Sequence, residues 1–141
     1  MFHPKTRRMG RERALQFLFG LDMTRKVDWR GLLSDYWGIN PAREPVRQYA
    51  EQLIAGVCDH QAELDQRIHG ALENWTPERV GYIERAVLRI ALFEMLYLPD
   101  VPPTVAINEA IEVTKRFGGP ESPRFVNGVL DRLRKQAADS A

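Results

Sequence analysis

The stretch Val80-Gly81-Tyr82-Ile83-Glu84-Arg85-Ala86-Val87-Leu88-Arg89-Ile90-Ala91-Leu92-Phe93-Glu94-Met95-Leu96-Tyr97-Leu98 decides the fold. Thirteen of the eighteen residues from Gly81 to Leu98 are apolar or aromatic, yet Glu84, Arg85, Arg89 and Glu94 interrupt the run too often for a bilayer span. A buried helix remains. Val80, Ile83, Val87, Ile90 and Ala91 follow the roughly 3.6-residue helical period, and Leu88, Leu92, Met95 and Leu96 spread apolar surface around the rest of the cylinder. A helix of that kind needs neighbours on most sides, so it reads as the central helix of an all-α domain. Thr76 is its expected cap and Pro77 its expected first residue, while Pro99 forbids continuation.

Working toward the N-terminus, Val46, Tyr49, Leu53, Val57, Leu64, Ile68 and Leu72 form a long stripe up to Trp75, one helix or two with a break near Cys58 to Ala62. Leu32, Leu33, Tyr36 and Trp37 suggest a short helix stopped by Gly38 and Asn40-Pro41. Ala14, Phe17, Leu18 and Leu21 mark an opening helix that begins near Thr6 to Arg8. Leu15 and Phe19 widen its stripe, and Arg7 and Arg11 prolong the same side. Toward the C-terminus, Val101-Pro102-Pro103 is a connector. Ile107, Ala110, Ile111, Thr114 and Phe117 mark a helix ended by Gly118 as a left-handed cap. The last helix is expected to start with Ser122 as cap and Pro123 at the first position, burying Phe125 or Val126, Val129, Leu130 and Leu133. Residues 1–6 are expected to be a disordered basic arm, 7–135 a single all-helical domain, and 136–141 a disordered tail. No strand alternation or internal repeat is visible.

The formal charge of +1 hides an asymmetry, because residues 1–13 hold Lys5, Arg7, Arg8, Arg11 and Arg13 against Glu12 alone. A basic start on a mildly acidic body suits a protein that touches a polyanion. Cations at a helix N-terminus oppose the macrodipole by about 0.3–1 kcal/mol each, so this turn is expected to fray until an anion holds it. Arginine forks pair phosphates, and exposed rings stack unpaired bases. Phe17 reads as core, whereas Phe19, at the stripe's edge, suits packing or stacking. The single cysteine, Cys58, allows no intrachain disulfide and suits a reducing cytosol. With Arg11 and Arg13 ahead of the apolar cluster the opening does not read as a secretion signal, and a cytoplasmic protein without membrane attachment is expected.

Catalytic chemistry finds no anchor. Gly118-Gly119-Pro120 follows a helix and lacks the lysine of a phosphate loop. His60 and His69 are nine residues apart, about 900° on a continuous helix, and so face opposite ways. Cys58 lies in an apolar stripe and reads as an inert thiol. Glu84 beside Arg85 reads as the solvated edge of a buried helix. Neither metal nor cofactor is expected.

The segment Arg7-Arg8-Met9-Gly10-Arg11-Glu12-Arg13-Ala14-Leu15-Gln16-Phe17-Leu18-Phe19 resembles the arginine-rich opening of the NusB family of bacterial transcription antitermination factors. Ile83 to Ala91, Val101-Pro102 with Ala106 to Ile111, and Arg124-Phe125-Val126-Asn127-Gly128-Val129-Leu130 are similar to its signature blocks in order and spacing; residues 22–45 are unmatched. The resemblance implies an all-α bundle of about seven helices in two packed subdomains. It also implies a non-catalytic function: binding the boxA element of nascent ribosomal-operon RNA together with the ribosomal protein NusE, within a complex of RNA polymerase and other Nus factors. The implied RNA contacts fall on Arg7, Arg8 and Arg11, with Lys5 and Arg13 beside them. A family aromatic, usually tyrosine, falls on Phe19, which keeps the ring and lacks the hydroxyl. Glu84, Glu121 and Phe125 complete the implied surface, although core burial would equally account for Phe125. Gly10 stands where alanine is commoner, a change expected to loosen the basic turn by about 1 kcal/mol. Asn127-Gly128 is equally odd inside a helix, and either a close helix crossing or an exposed polar contact would account for it.

Two other readings stay open. The module is also similar to the leading domain of ribosomal RNA cytosine methyltransferases, but an enzyme of that kind needs a cofactor-binding α/β domain as well. The chain would alternatively be a protein-interaction or homodimer module with Trp29, Trp37 or Phe125 as anchors.

Overall fold

The computed structural model describes residues 3–25, 28–72 and 80–140. They form helices α1 (Pro4–Thr24), α2 (Trp29–Ile39), α3 (Glu44–Asp59), α4 (Gln61–Ala71), α5 (Tyr82–Tyr97), α6 (Pro103–Phe117) and α7 (Ser122–Ser140). The all-α reading holds. Helix α5 is buried continuously from Ala86 to Glu94 and touches α1, α3, α4, α6 and α7, which is how a cylinder apolar on nearly every side is covered. Around it, α1 lies along α3, and α6 pairs with α7. Among the described residues no helix is long and apolar enough to cross a membrane.

The expected limits of α5 need correction at its start. The helix begins at Tyr82 after an extended Gly81, while Thr76 and Pro77 lie outside the described residues. Position 81 is crowded, because the Glu84 carboxylate folds back to where a side chain would begin. At the other end Leu98 leaves helical geometry ahead of Pro99, as pre-proline sterics require.

The long stripe is two helices, broken at His60. The opening helix starts at Pro4, earlier than expected, so Pro4, Lys5 and Thr6 are helical rather than part of a disordered arm. His3 supplies the missing cap: its Nδ1 accepts from the Lys5 N–H at 3.1 Å, and Pro4 takes the first turn. At the far end α7 runs on to Ser140, so residues 136–140 are helical rather than a disordered tail. Just ahead of these residues Asp131 pairs with Arg134 and Lys135. Gly118 is extended rather than left-handed, and a Cβ there would meet the Thr114 carbonyl oxygen at 3.0 Å. Ser122 is the first residue of α7 rather than the residue before it, and its hydroxyl donates to Glu84 and accepts from the Gly119 N–H.

Two glycines set helix spacings. A Cβ on buried Gly10 would meet Tyr49 Cδ2 at 2.9 Å and the Ala50 nitrogen at 3.3 Å, so α1 and α3 approach at a point that only hydrogen leaves open. Gly56 of α3 lies directly under the Phe93 ring of α5. Gly128 has no such crossing. A Cβ there would reach only the Arg132 guanidinium at 3.7 Å, and neighbouring Asn127 is exposed.

Candidate nucleic-acid interface

The basic start of α1 does not overhang the core. Arg11 is 4% exposed, its Nε donating to both Glu94 oxygens at 3.0 and 2.9 Å, and its Nη1 reaching Glu109 at 3.3 Å. Burial alone would lower the guanidinium's pKa, but the Glu94 carboxylate outweighs it and the pKa rises. Tyr49 closes the cluster by donating its hydroxyl to Glu94, and burial first, then Glu94, raise the Tyr49 pKa. Arg7, 13% exposed, donates to Asp100 at 2.6 Å. The expected fraying is therefore overturned: Asp100, Glu94 and Glu109 already supply the anions that the helix start lacks. Arg11, which the resemblance places among the RNA contacts, is thereby turned into the core against Glu94.

Arg8 faces out. It makes a bidentate pair with Glu109 at 2.9 and 2.7 Å and keeps half of its side chain exposed. That pair raises the Arg8 pKa and lowers the Glu109 pKa. Further along, Arg116 of α6 donates to Glu12 of α1 at 2.8 and 2.9 Å. Both rungs advance in the same chain direction, so α1 and α6 run side by side with a groove of about 530 Å³ lined by Pro4, Lys5, Arg8, Met9, Glu12, Glu109 and Arg116. Lys5 is exposed there. Arg13 turns the other way and donates to the Pro41 carbonyl oxygen at 3.3 Å.

A second cavity, about 520 Å³, opens where α5 and α7 begin, between Glu84, Glu121, Arg124 and Phe125. Three residues implied by resemblance alone, Glu84, Glu121 and Phe125, thus share one concavity. Glu84 is only partly solvated. It accepts the Ser122 hydroxyl, which in turn accepts the Gly119 N–H at 3.1 Å, tying the α6–α7 turn to the start of α5. Phe125 is half-buried against the core while Val126 is fully inside. Phe17 is core, and Phe19, half-buried, packs edge-on against Tyr82 at 6.2 Å, beside Gly81 of the cavity wall.

Sequence reasoning missed Lys115, Arg116 and Tyr82. A basic pair in the last turn of a helix is what the macrodipole favours anyway, so Lys115-Arg116 carries no signal of its own. Only packing sets Arg116 opposite Glu12. Cys58 is half-buried, and burial pushes its thiol up to about 11. The His60 ring lies tilted against Tyr97 at 4.2 Å at the start of α4, while exposed His69 lies in the last turn of that helix. Trp37, one of the possible anchors, is buried and donates to Glu51.

The NusB family model matches residues 8–135. Transcription antitermination protein NusB of Bacillus velezensis is 41% identical over 128 residues, spanning 91% of this chain and 95% of that protein. T. maritima NusB superposes with a TM-score of 0.83 at 34% identity, over 96% of this chain and 94% of its own. A chain from a crystal structure of antitermination factors NusB and NusE in complex with dsRNA shares the fold, with a TM-score of 0.84 at 24% identity, over 95% of this chain and 99% of its own. Matched along nearly its whole length in sequence and in helix arrangement, the chain belongs to the NusB family of transcription antitermination factors.

Proposed function

We propose that the chain binds boxA-type single-stranded RNA of ribosomal operons together with the ribosomal protein NusE, within an antitermination complex of RNA polymerase and other Nus factors. No bond is made or broken in this role. The observation that carries the reading is the α1–α6 groove, where Lys5 and the outward half of Arg8 face solvent. In this reading these two residues take phosphates, while Arg7 and Arg11 brace the turn from behind. Phe19 and Phe125 offer ring edges near the α5–α7 cavity, and Glu84 and Glu121 supply acceptors for base amino groups. The pairing of RNA with a protein ligand is supported by the complex of NusB and NusE with dsRNA.

Fluorescence anisotropy with a boxA-type strand, with and without NusE and across salt concentrations, tests this. Affinity should fall steeply with salt, and Lys5→Ala with Arg8→Ala should flatten the logarithmic slope by about 0.7 for each phosphate that is no longer neutralised. Lys5→Ala should leave thermal stability nearly unchanged, whereas Arg8→Ala also frees Glu109, so unfolding of each variant is followed in parallel with binding. An affinity indifferent to both changes would remove the groove from RNA binding, and salt-insensitive capture of a protein alone would favour an interaction module.

A further inference from the structure

Every groove guanidinium already holds a carboxylate, but not equally tightly. Arg11 and Glu94 are sealed, at 4% and 1% exposed. Arg116 is 65% exposed, and its anchor on α1 is Glu12. Lys115, its neighbour, reaches Glu112 at 3.2 Å in a fully surface pair. Arg116, Glu12 and Arg8 line both this stretch and the groove beside Lys5, so the α6 cations continue the cationic wall begun on α1. Exposed ion pairs contribute little net stability and exchange readily, whereas a phosphate offers a guanidinium charge-assisted bonds of the same fork geometry. Exchange is therefore open to the solvent-facing guanidiniums of Arg116 and Arg8, although their partners Glu12 and Glu109 are themselves only 18% and 17% exposed, and it is closed to Arg11.

We infer that Arg116 is the α6 half of a two-walled phosphate site completed by Arg8 and Lys5, with Glu12 as the internal anion that an RNA phosphate displaces. Glu12 keeps the field of Arg8 when Arg116 turns away. The inference rests on the proposed RNA binding and adds a residue that the arginine-rich start of the chain does not contain.

The test measures binding of the full chain to a single-stranded boxA-type RNA at several salt concentrations for Glu12→Gln, Arg116→Ala, Arg116→Lys and the Glu12→Gln/Arg116→Ala double variant. Removing the competing anion should tighten binding up to about fivefold, the size of an exposed ion pair. Arg116→Ala should weaken binding and flatten the salt slope by about 0.7, with Arg116→Lys recovering the slope. In the double variant most of the gain from Glu12→Gln should vanish, leaving only what relief of the Glu12 field on Arg8 supplies. An equal gain with and without Arg116 would make Glu12 a distant repulsive charge and overturn the assignment. So would loss of NusE association in Arg116→Ala with RNA affinity intact. If the unaltered chain retains no RNA, the broader function fails; if it binds and only the Arg8 and Lys5 changes matter, the Arg116 assignment alone fails.

Discussion

Arg11 and Glu94 form a charge pair sealed between α1 and α5, with both carboxylate oxygens held by one arginine and the Tyr49 hydroxyl. The pair joins the first helix to the central one at a place where neither charge can reach water.

Breaking one side of that pair leaves the other charge inside the core without its main partner, Arg11 with only the longer contact to Glu109 and Glu94 with only the Tyr49 hydroxyl. Arg11→Met or Glu94→Leu alone should cost about 3–5 kcal/mol in urea unfolding, while the double replacement should recover much of the loss. Equal losses for single and double variants would mean that the pair is not coupled.

Gly10→Ala sets two effects against each other. Helix propensity alone favours alanine by about 1 kcal/mol, but the new methyl would push into Tyr49 and the α3 backbone, at about 1–3 kcal/mol. Overpacking against backbone should win, lowering the melting temperature. A stabilised variant would show that α1 can back away from α3.

Glu109 makes stability depend on acid. Its hydrogen bond from Arg8 holds the carboxyl below the ordinary value of 4.5, so the stabilisation is complete above that value and is lost as pH falls through the lowered one. The stability difference between the unaltered chain and Glu109→Gln should be constant near neutrality and shrink below about pH 4.5. Urea titrations at stepped pH measure it.

Cys58 should be slow to alkylate. With its thiol raised to about 11 by burial, the reactive thiolate at pH 8 is scarcer than in unfolded chain. Iodoacetamide should therefore modify the native protein on the order of a hundredfold more slowly than the denatured one.

The helices were legible because periodicity and prolines write them locally: Val46 to Leu72, Ile107 to Phe117 and Val126 to Leu133 fall on faces that are indeed buried. The ionic wiring was not legible. Arg11 looks like Arg8 in a sequence, and what separates them is Glu94, which sits 83 positions away and itself resembles an ordinary break in an apolar run. His3 gives no capping signal because imidazole is not among the usual capping side chains. Gly10 reads as a weak helix residue because its cost is local, whereas the requirement for it comes from α3. The grouping of Glu84, Glu121 and Phe125 had no warrant in spacing, since it needs α5 and α7 to begin at the same corner of the bundle.

A synthetic fragment excised from Pro4 to Thr24 would carry Lys5, Arg7, Arg8, Arg11 and Arg13 without Asp100, Glu94 or Glu109 to restrain them. It would cling to any polyanion, DNA or heparin included, whereas in the folded molecule Arg11 is enclosed with Glu94 of α5, and Arg7 and Arg8 are already held by carboxylates of the α5–α6 connector and of α6. Part of the selectivity of the first helix thus comes from the acids packed against it, and its proteolytic release would produce a stickier, less selective species.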